Sequence, residues 1–114
     1  MNKLSSATES FTESFAELKR GKQKGDFELA GVLDFSTVPE IIKQNPVFSD
    51  TSVDTVNIDL GGISKSNSAG VALLIEWLRQ ARNNNKAIYF LNIQDQLLEI
   101  AKISDLESIL PTSS

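Results

Sequence analysis

The stretch that most constrains the fold of this chain runs from residue 55 to residue 93. Its first six residues alternate, with Val56, Ile58 and Leu60 on one side, the period-two pattern of a strand with one buried face. Gly61 and Gly62 end that run. From Ser68 to about Arg82 the period becomes helical, with Val71, Leu74, Ile75, Leu78 and Ala81 on one face. Asn83, Asn84 and Asn85 then make a turn that also closes the helix. Residues 87–93 are apolar on both sides, Ile88 and Phe90 against Tyr89, Leu91 and Ile93. Such a strand sits centrally in its sheet, or lies between a layer of helices and a partner. Strand, helix, strand is a crossover unit, which joins parallel neighbours with a right-handed connection.

The flanks extend the same alternation. Residues 27–33 read as an earlier strand, alternating Phe27, Leu29 and Leu33 with small or polar residues. Ser36 or Thr37 can cap a helix with Pro39 in its first turn and Ile41 and Ile42 inward, stopped by Asn45-Pro46. Asp95 can cap a third helix with Leu97, Ile100 and Ala101 inward. Ser104 and Glu107 fit the capping box of a last short helix ending at Pro111. The expected architecture is α/β: a mixed, largely parallel sheet of about four strands flanked by about four helices. Residues 1–25 form an N-terminal extension, and residues 26–114 the domain. Within the extension, Phe11, Phe15 and Leu18 have helical spacing, and a short edge strand over 15–18 is the equal rival. Lys19, Arg20, Lys22 and Lys24 surround Gly21 and Gly25, a pattern that a solvated turn explains better than an anionic contact does.

What the chain lacks excludes several kinds of chemistry. It has no Cys and no His. That removes disulfides, thiolate nucleophiles, the commonest metal ligands and the usual general base near neutral pH. No metal and no cofactor is expected. The net charge of −4 opposes general nucleic-acid binding, which needs a basic face. The first residues carry no apolar run, and no stretch approaches the ~20 apolar residues of a membrane span. Membrane contact would come through a partner, and the expected location is the cytoplasm.

The most informative segment joins the second strand to the second helix. Ser64, Ser66, Asn67 and Ser68 gather where a helix begins, where backbone N–H groups lack partners and the dipole is positive. A phosphate on one of these hydroxyls would be stabilised there. Capping alone also explains Ser and Asn at this place, and Gly70 permits close packing on the sheet. Gly61, Gly62, Lys65 and Ser66 imitate a phosphate loop, but the motif needs Gly where Asp59 and Ser64 stand, so nucleotide binding is not inferred. On the helix, Leu73 and Trp77 widen the apolar arc on its flank. Either the third helix or the sheet edge covers them, or they form an exposed patch beside the Ser-Asn-Ser segment.

These residues carry a resemblance. Asp59-Leu60 through Gly70, continued by the Leu-rich helix, resembles the signature of STAS domains, and within them the MlaB-type STAS subunit of the bacterial Mla phospholipid transporter. Leu29-Ala30-Gly31-Val32-Leu33-Asp34 is similar to the family's earlier strand. Residues 89–93 and 97–102 are similar to its last strand and helix. The resemblance covers about residues 26–110. It implies a non-enzymatic subunit on the cytoplasmic ATPase of an ABC transporter, at the inner face of the inner membrane of a Gram-negative envelope. It would support phospholipid transport that maintains outer-membrane lipid asymmetry. Other family members, antagonists of anti-sigma factors, are switched by phosphorylation at the position held here by Ser68. Asn67 stands where the family usually has Asp. Asn keeps the shape and the capping ability without the charge, so a contact surface carries over more directly than a charge-dependent switch.

The sequence therefore leaves a leading reading, an ATPase-bound STAS subunit, and an alternative, a free-standing anti-sigma-factor antagonist phosphorylated at Ser68. The partner-binding residues implied are Ser66, Asn67, Ser68, Ala69, Gly70, Leu73 and Trp77. A third reading is a carboxylate enzyme using Asp34 and Asp59 at the ends of neighbouring strands, which the lack of a matched acid–base pair disfavours.

Overall fold

The computed structural model describes residues 14–44, 52–103 and 112–113. Their elements are β1 (Ala16–Arg20), β2 (Asp26–Leu33), α1 (Val38–Ile42), β3 (Thr55–Ser66), α2 (Ser68–Asn83), β4 (Ala87–Leu91), α3 (Asp95–Ile103) and β5 (Thr112–Ser113). The strands lie side by side in chain order. β1 is antiparallel to β2, and every later neighbour is parallel. The expected mixed, largely parallel sheet is present, with the short β5 added beyond the expectation. The helix expected over 104–111 and the stop at Asn45-Pro46 lie outside the described residues, as does Phe11.

In the N-terminal extension the strand reading prevails over the helical one. Residues 16–20 pair with β2, so their backbone groups bond across a hairpin rather than along a helix. Phe15, which a helical stripe would have buried, is 68% exposed.

The core lies on one side of the sheet. Phe27, Leu29 and Leu33 of β2, Val56, Ile58, Leu60 and Ile63 of β3, and Ile88 and Phe90 of β4 join one cluster with the apolar residues of α2. α2 packs between α1 and α3, and α3 adds Leu97 and Ala101 to the same cluster. The opposite side of the sheet carries Glu28, Gly61, Gly62, Ala87 and Tyr89, all exposed. The residues of β4 that read as doubly apolar therefore meet helices only through Ile88 and Phe90. Tyr89 remains 40% exposed.

β3 departs from expectation. Gly61 and Gly62 do not end it; the strand runs on to Ser66. Glu28 faces Asp59, yet Ala30 faces Gly62; Gly31 faces Ile63, yet Val32 faces Lys65. β3 thus carries one extra residue at each of two bulges, and each bulge turns the following residues over. The inward series becomes Leu60, Ile63, Ser66. Glycine is needed there: a Cβ on Gly62 would lie 2.8 Å from the Ala30 Cβ.

α2 ends one residue beyond the expected Arg82. Lys86 N–H reaches back to the Ala81 carbonyl at 2.8 Å, and Asn85 takes φ 58°, a left-handed conformation that Asn tolerates. Among the described residues no helix is long and apolar enough to cross a membrane.

Candidate functional site

Because β2, β3 and β4 are parallel, their last residues emerge at one end of the sheet. The β3–α2 turn is built there. Asn67 N–H donates to the Leu33 carbonyl at 3.0 Å, which ties the turn to the end of β2. Ser66 N–H donates to Gln96 Oε1 at 3.0 Å, which ties it to the first turn of α3. The Ser66 hydroxyl donates to the Asn67 carbonyl at 3.0 Å.

Asn67, not Ser68, is the N-cap of α2. Its side-chain oxygen accepts from Ala69 N–H at 2.8 Å, satisfying one of the open donors of the helix. Its carbonyl also accepts from Gly70 N–H at 3.0 Å. Ser68 is the first helical residue, and it is exposed. Gly70 is required by close approach: a Cβ there would lie 2.1 Å from Ser66 Oγ and 3.2 Å from Leu33.

The seven expected contact residues divide. Asn67 is half-buried and Ser68 exposed, so both are reachable. Ser66, Ala69 and Gly70 are buried and shape the turn from behind. Leu73 and Trp77 are fully buried, which decides between the two readings of this flank in favour of the covered one and removes both from the expected contact residues. The physical reason is that α2 packs between α1 and α3, so its flanks are covered as well as its sheet-facing side. Ile75, read as inward, is only half-buried in exchange. The Trp77 indole N–H finds no acceptor among the described residues.

Beside the turn lies an open groove of 540 Å³, bounded by Ser14, Phe15, Val32 and Asp34 on one side and by residues 64–67 on the other. Asp34 organises its rim. Its Oδ1 accepts from Ser36 N–H at 2.9 Å, Ser36 Oγ–H at 2.7 Å and Thr37 N–H at 3.0 Å. The Ser14 hydroxyl and the Ser36 side chain, with the Ser36 and Thr37 amides, hold this carboxyl well below the usual carboxylate range. Asp34 is thus occupied with starting α1. Thr37, read as a cap, instead donates its hydroxyl to the Val32 carbonyl at 2.8 Å.

Asp59 does not end its strand, because β3 continues past it. Its Oδ1 accepts from Gly61 N–H at 2.8 Å and Asn92 Nδ2 at 3.0 Å. Both carboxylates are acceptors within turns and bulges, and the third reading loses its geometric basis. Among the described residues no group of His, Cys, Asp and Glu converges as a metal site would require.

Three further residues at this end are reachable. Phe35, 74% exposed, lies two residues past β2 and had no signal in the sequence. Ser64 and Lys65, noted in the sequence only as part of a polar cluster and of an imitation phosphate loop, are both exposed, Lys65 because the second bulge turns the strand over. Gln96 supports the turn from 30 residues away, and no local pattern announces such a contact.

Comparisons with known proteins follow the same outline. A family model described as "Mlab, STAS domain" matches residues 17–111. The anti-sigma-B factor antagonist of Staphylococcus aureus is 27% identical over 86 residues, covering 75% of this chain and 79% of that protein. Its counterpart in Staphylococcus epidermidis is 24% identical over 85 residues, with the same coverage of 75% and 79%. Among solved structures, an anti-sigma factor antagonist from Mycobacterium paratuberculosis superposes with a TM-score of 0.70 at 14% identity, over 86% of this chain and 85% of that one. The anti-sigma factor antagonist SpoIIAA in its unphosphorylated form gives 0.65 at 18% identity, over 88% and 89%. At those identities the structures speak for the fold alone.

Proposed function

The chain belongs to the STAS-domain family, and from that premise we propose that it is a non-enzymatic regulatory domain of the anti-sigma-factor-antagonist type. It docks on a partner kinase through the β3–α2 turn and is switched at Ser68. One observation carries this reading: Ser68 is exposed on the first residue of a 16-residue helix whose cap is supplied by its neighbour. The relatives named anti-sigma-B factor antagonists support it.

The chemistry belongs to the partner. The Ser68 hydroxyl oxygen bonds to the γ-phosphorus of ATP, the bond to the bridging oxygen of ADP breaks, and the hydroxyl proton passes to the partner's base. This chain presents the nucleophile at the positive end of α2, where the phosphate is stabilised afterwards. Asn67 caps without a negative charge, so it does not repel that phosphate. Phosphate adds about −1.5 to −2 charge in the middle of the docking surface, and the partner releases. With ATP as donor, the role is a cytoplasmic one.

A second reading draws on two observations, the description of the matching family model and the uncharged Asn67. In it the same turn is a permanent contact on the ATPase of an Mla-type phospholipid ABC transporter, with no phosphorylation. The test is co-purification of the tagged chain from its native cell, followed by incubation of the recovered complex with ATP. The first reading expects a kinase in the complex, phosphate on Ser68 by mass spectrometry, and weaker docking for Ser68→Glu. Recovery of an ABC ATPase, with Ser68 unmodified and Ser68→Glu still bound, overturns it in favour of the second.

A further inference from the structure

Among the described residues β1 ends the sheet, and no strand pairs with its outer edge. The hairpin ladder shows which groups face that edge. Val32 N–H donates to the Phe15 carbonyl at 2.8 Å, and Gly21 N–H to the Asp26 carbonyl at 2.6 Å. Bonded and non-bonded pairs alternate along an antiparallel ladder. Phe15, Glu17, Lys19 and Gly21 therefore bond toward β2, and Ala16, Leu18 and Arg20 send their N–H and C=O groups outward. Such an edge is a template for another strand.

The side chains determine which strand. Glu17 and Lys19 lie opposite Ala30 and Glu28 of β2, on the side of the sheet away from the core. Ala16 and Leu18 lie on the core side, only partly buried. A second β1 laid antiparallel and centred on Leu18 sets Glu17 of each copy across from Lys19 of the other. Leu18 meets Leu18 on the core side and completes a burial that one copy leaves half done. Leu18 also bonds outward, so the two-fold axis passes through a hydrogen-bonded pair. A slip of two residues one way places Glu17 against Glu17, and the other way Lys19 against Lys19. Like charges directly opposite are destabilising. A slip of one residue pairs core-side with solvent-side positions.

We propose that β1 is a self-complementary edge through which two copies of this chain join their sheets, in the register centred on Leu18. A five-residue strand offers less than the ~1,200 Å² of a stable interface, so the dimer forms in a concentration-dependent way. The inference stands apart from the role of Ser68.

The test is sedimentation equilibrium of the full chain up to millimolar concentration, with Glu17→Lys, Lys19→Glu and the double exchange. Circular dichroism melts verify that each variant is folded. The wild type is expected to dimerise reversibly, and each single reversal to raise the dissociation constant about tenfold or more. The double exchange restores the wild-type value. An equimolar mixture of the two single variants dimerises better than either alone, because each supplies the charges the other needs. A wild type that stays monomeric overturns the proposal. So does a dimer indifferent to all three variants, which would place the contact elsewhere, or a mixture no tighter than its components.

Discussion

The first turn of α2 and the body of the same helix follow opposite rules. Along the body, Leu73, Leu74 and Trp77 are sealed between the sheet and the neighbouring helices, and burial of apolar surface decides what each contributes. At the first turn the side chains are small or polar, Ser68 stands in solvent, and hydrogen bonds accepted by the Asn67 side chain, the Leu33 carbonyl and the Gln96 side chain hold the shape. One helix thus anchors the domain with its middle and offers a surface with its head. The lesson concerns separability: changes at the head should move recognition and spare folding, and changes in the body should do the reverse.

The largest expected effect lies in the body. Trp77→Ala should cost about 3–5 kcal/mol of stability, and Leu74→Ala about 2–5 kcal/mol, in urea unfolding followed by circular dichroism. A loss under 1 kcal/mol for either would mean that the body is not the anchor. Gly70→Ala tests the boundary between the two regions. Its Cβ would drive the Ser66 hydroxyl from its bond to the Asn67 carbonyl and press on Leu33, so about 1–3 kcal/mol of stability should be lost together with partner binding.

At the head itself, Asn67→Ala should cost about 1 kcal/mol, the worth of a side-chain cap. Ser68→Ala should change stability by no more than about 0.5 kcal/mol and act on binding or modification alone. Equal losses for the two would return the cap to Ser68. The smallest effect is a pH dependence at the groove beside the head. The Asp34 carboxyl is lowered from its ordinary 3.8 by the Ser14 and Ser36 hydroxyls and the amides of Ser36 and Thr37. A lowered carboxyl contributes stability above its unfolded value, and the contribution is lost as pH falls through that value toward the folded one. The stability difference between wild type and Asp34→Asn should therefore be constant above about pH 5 and shrink below about pH 4. A difference that does not vary with pH would show that the carboxylate contributes nothing by its charge.

Sequence patterns told these regions apart only in part. The limits of α2, the inward set Val71, Leu74 and Leu78, and the tight packing at Gly70 were all legible, since each depends on residues within a few positions. For Leu73 and Trp77 two outcomes stayed open: a helical arc ranks positions around one axis and does not decide whether a neighbouring element covers its flank. Gly61-Gly62 read as a stop because glycine pairs often end strands. Here they admit a bulge, whose partner Ala30 lies on another strand, far from Gly62 in sequence. Gln96 and Phe35 gave no local sign, because what matters about them is where the sheet brings them.

The two bulges of β3 give this part of the chain a parity. Each extra residue flips the strand, and two flips bring the helix start back to the orientation the core requires. Removal of one residue between positions 61 and 65 would turn Ser66 toward solvent and launch α2 from the wrong side of the sheet. Removal of two, one from each bulge, would restore the orientation with a straighter strand. Length variation here is therefore a matter of even and odd, much as a reading frame tolerates some deletions and not others. The place at which Ser68 is presented is set by that count as much as by the chemistry of the turn.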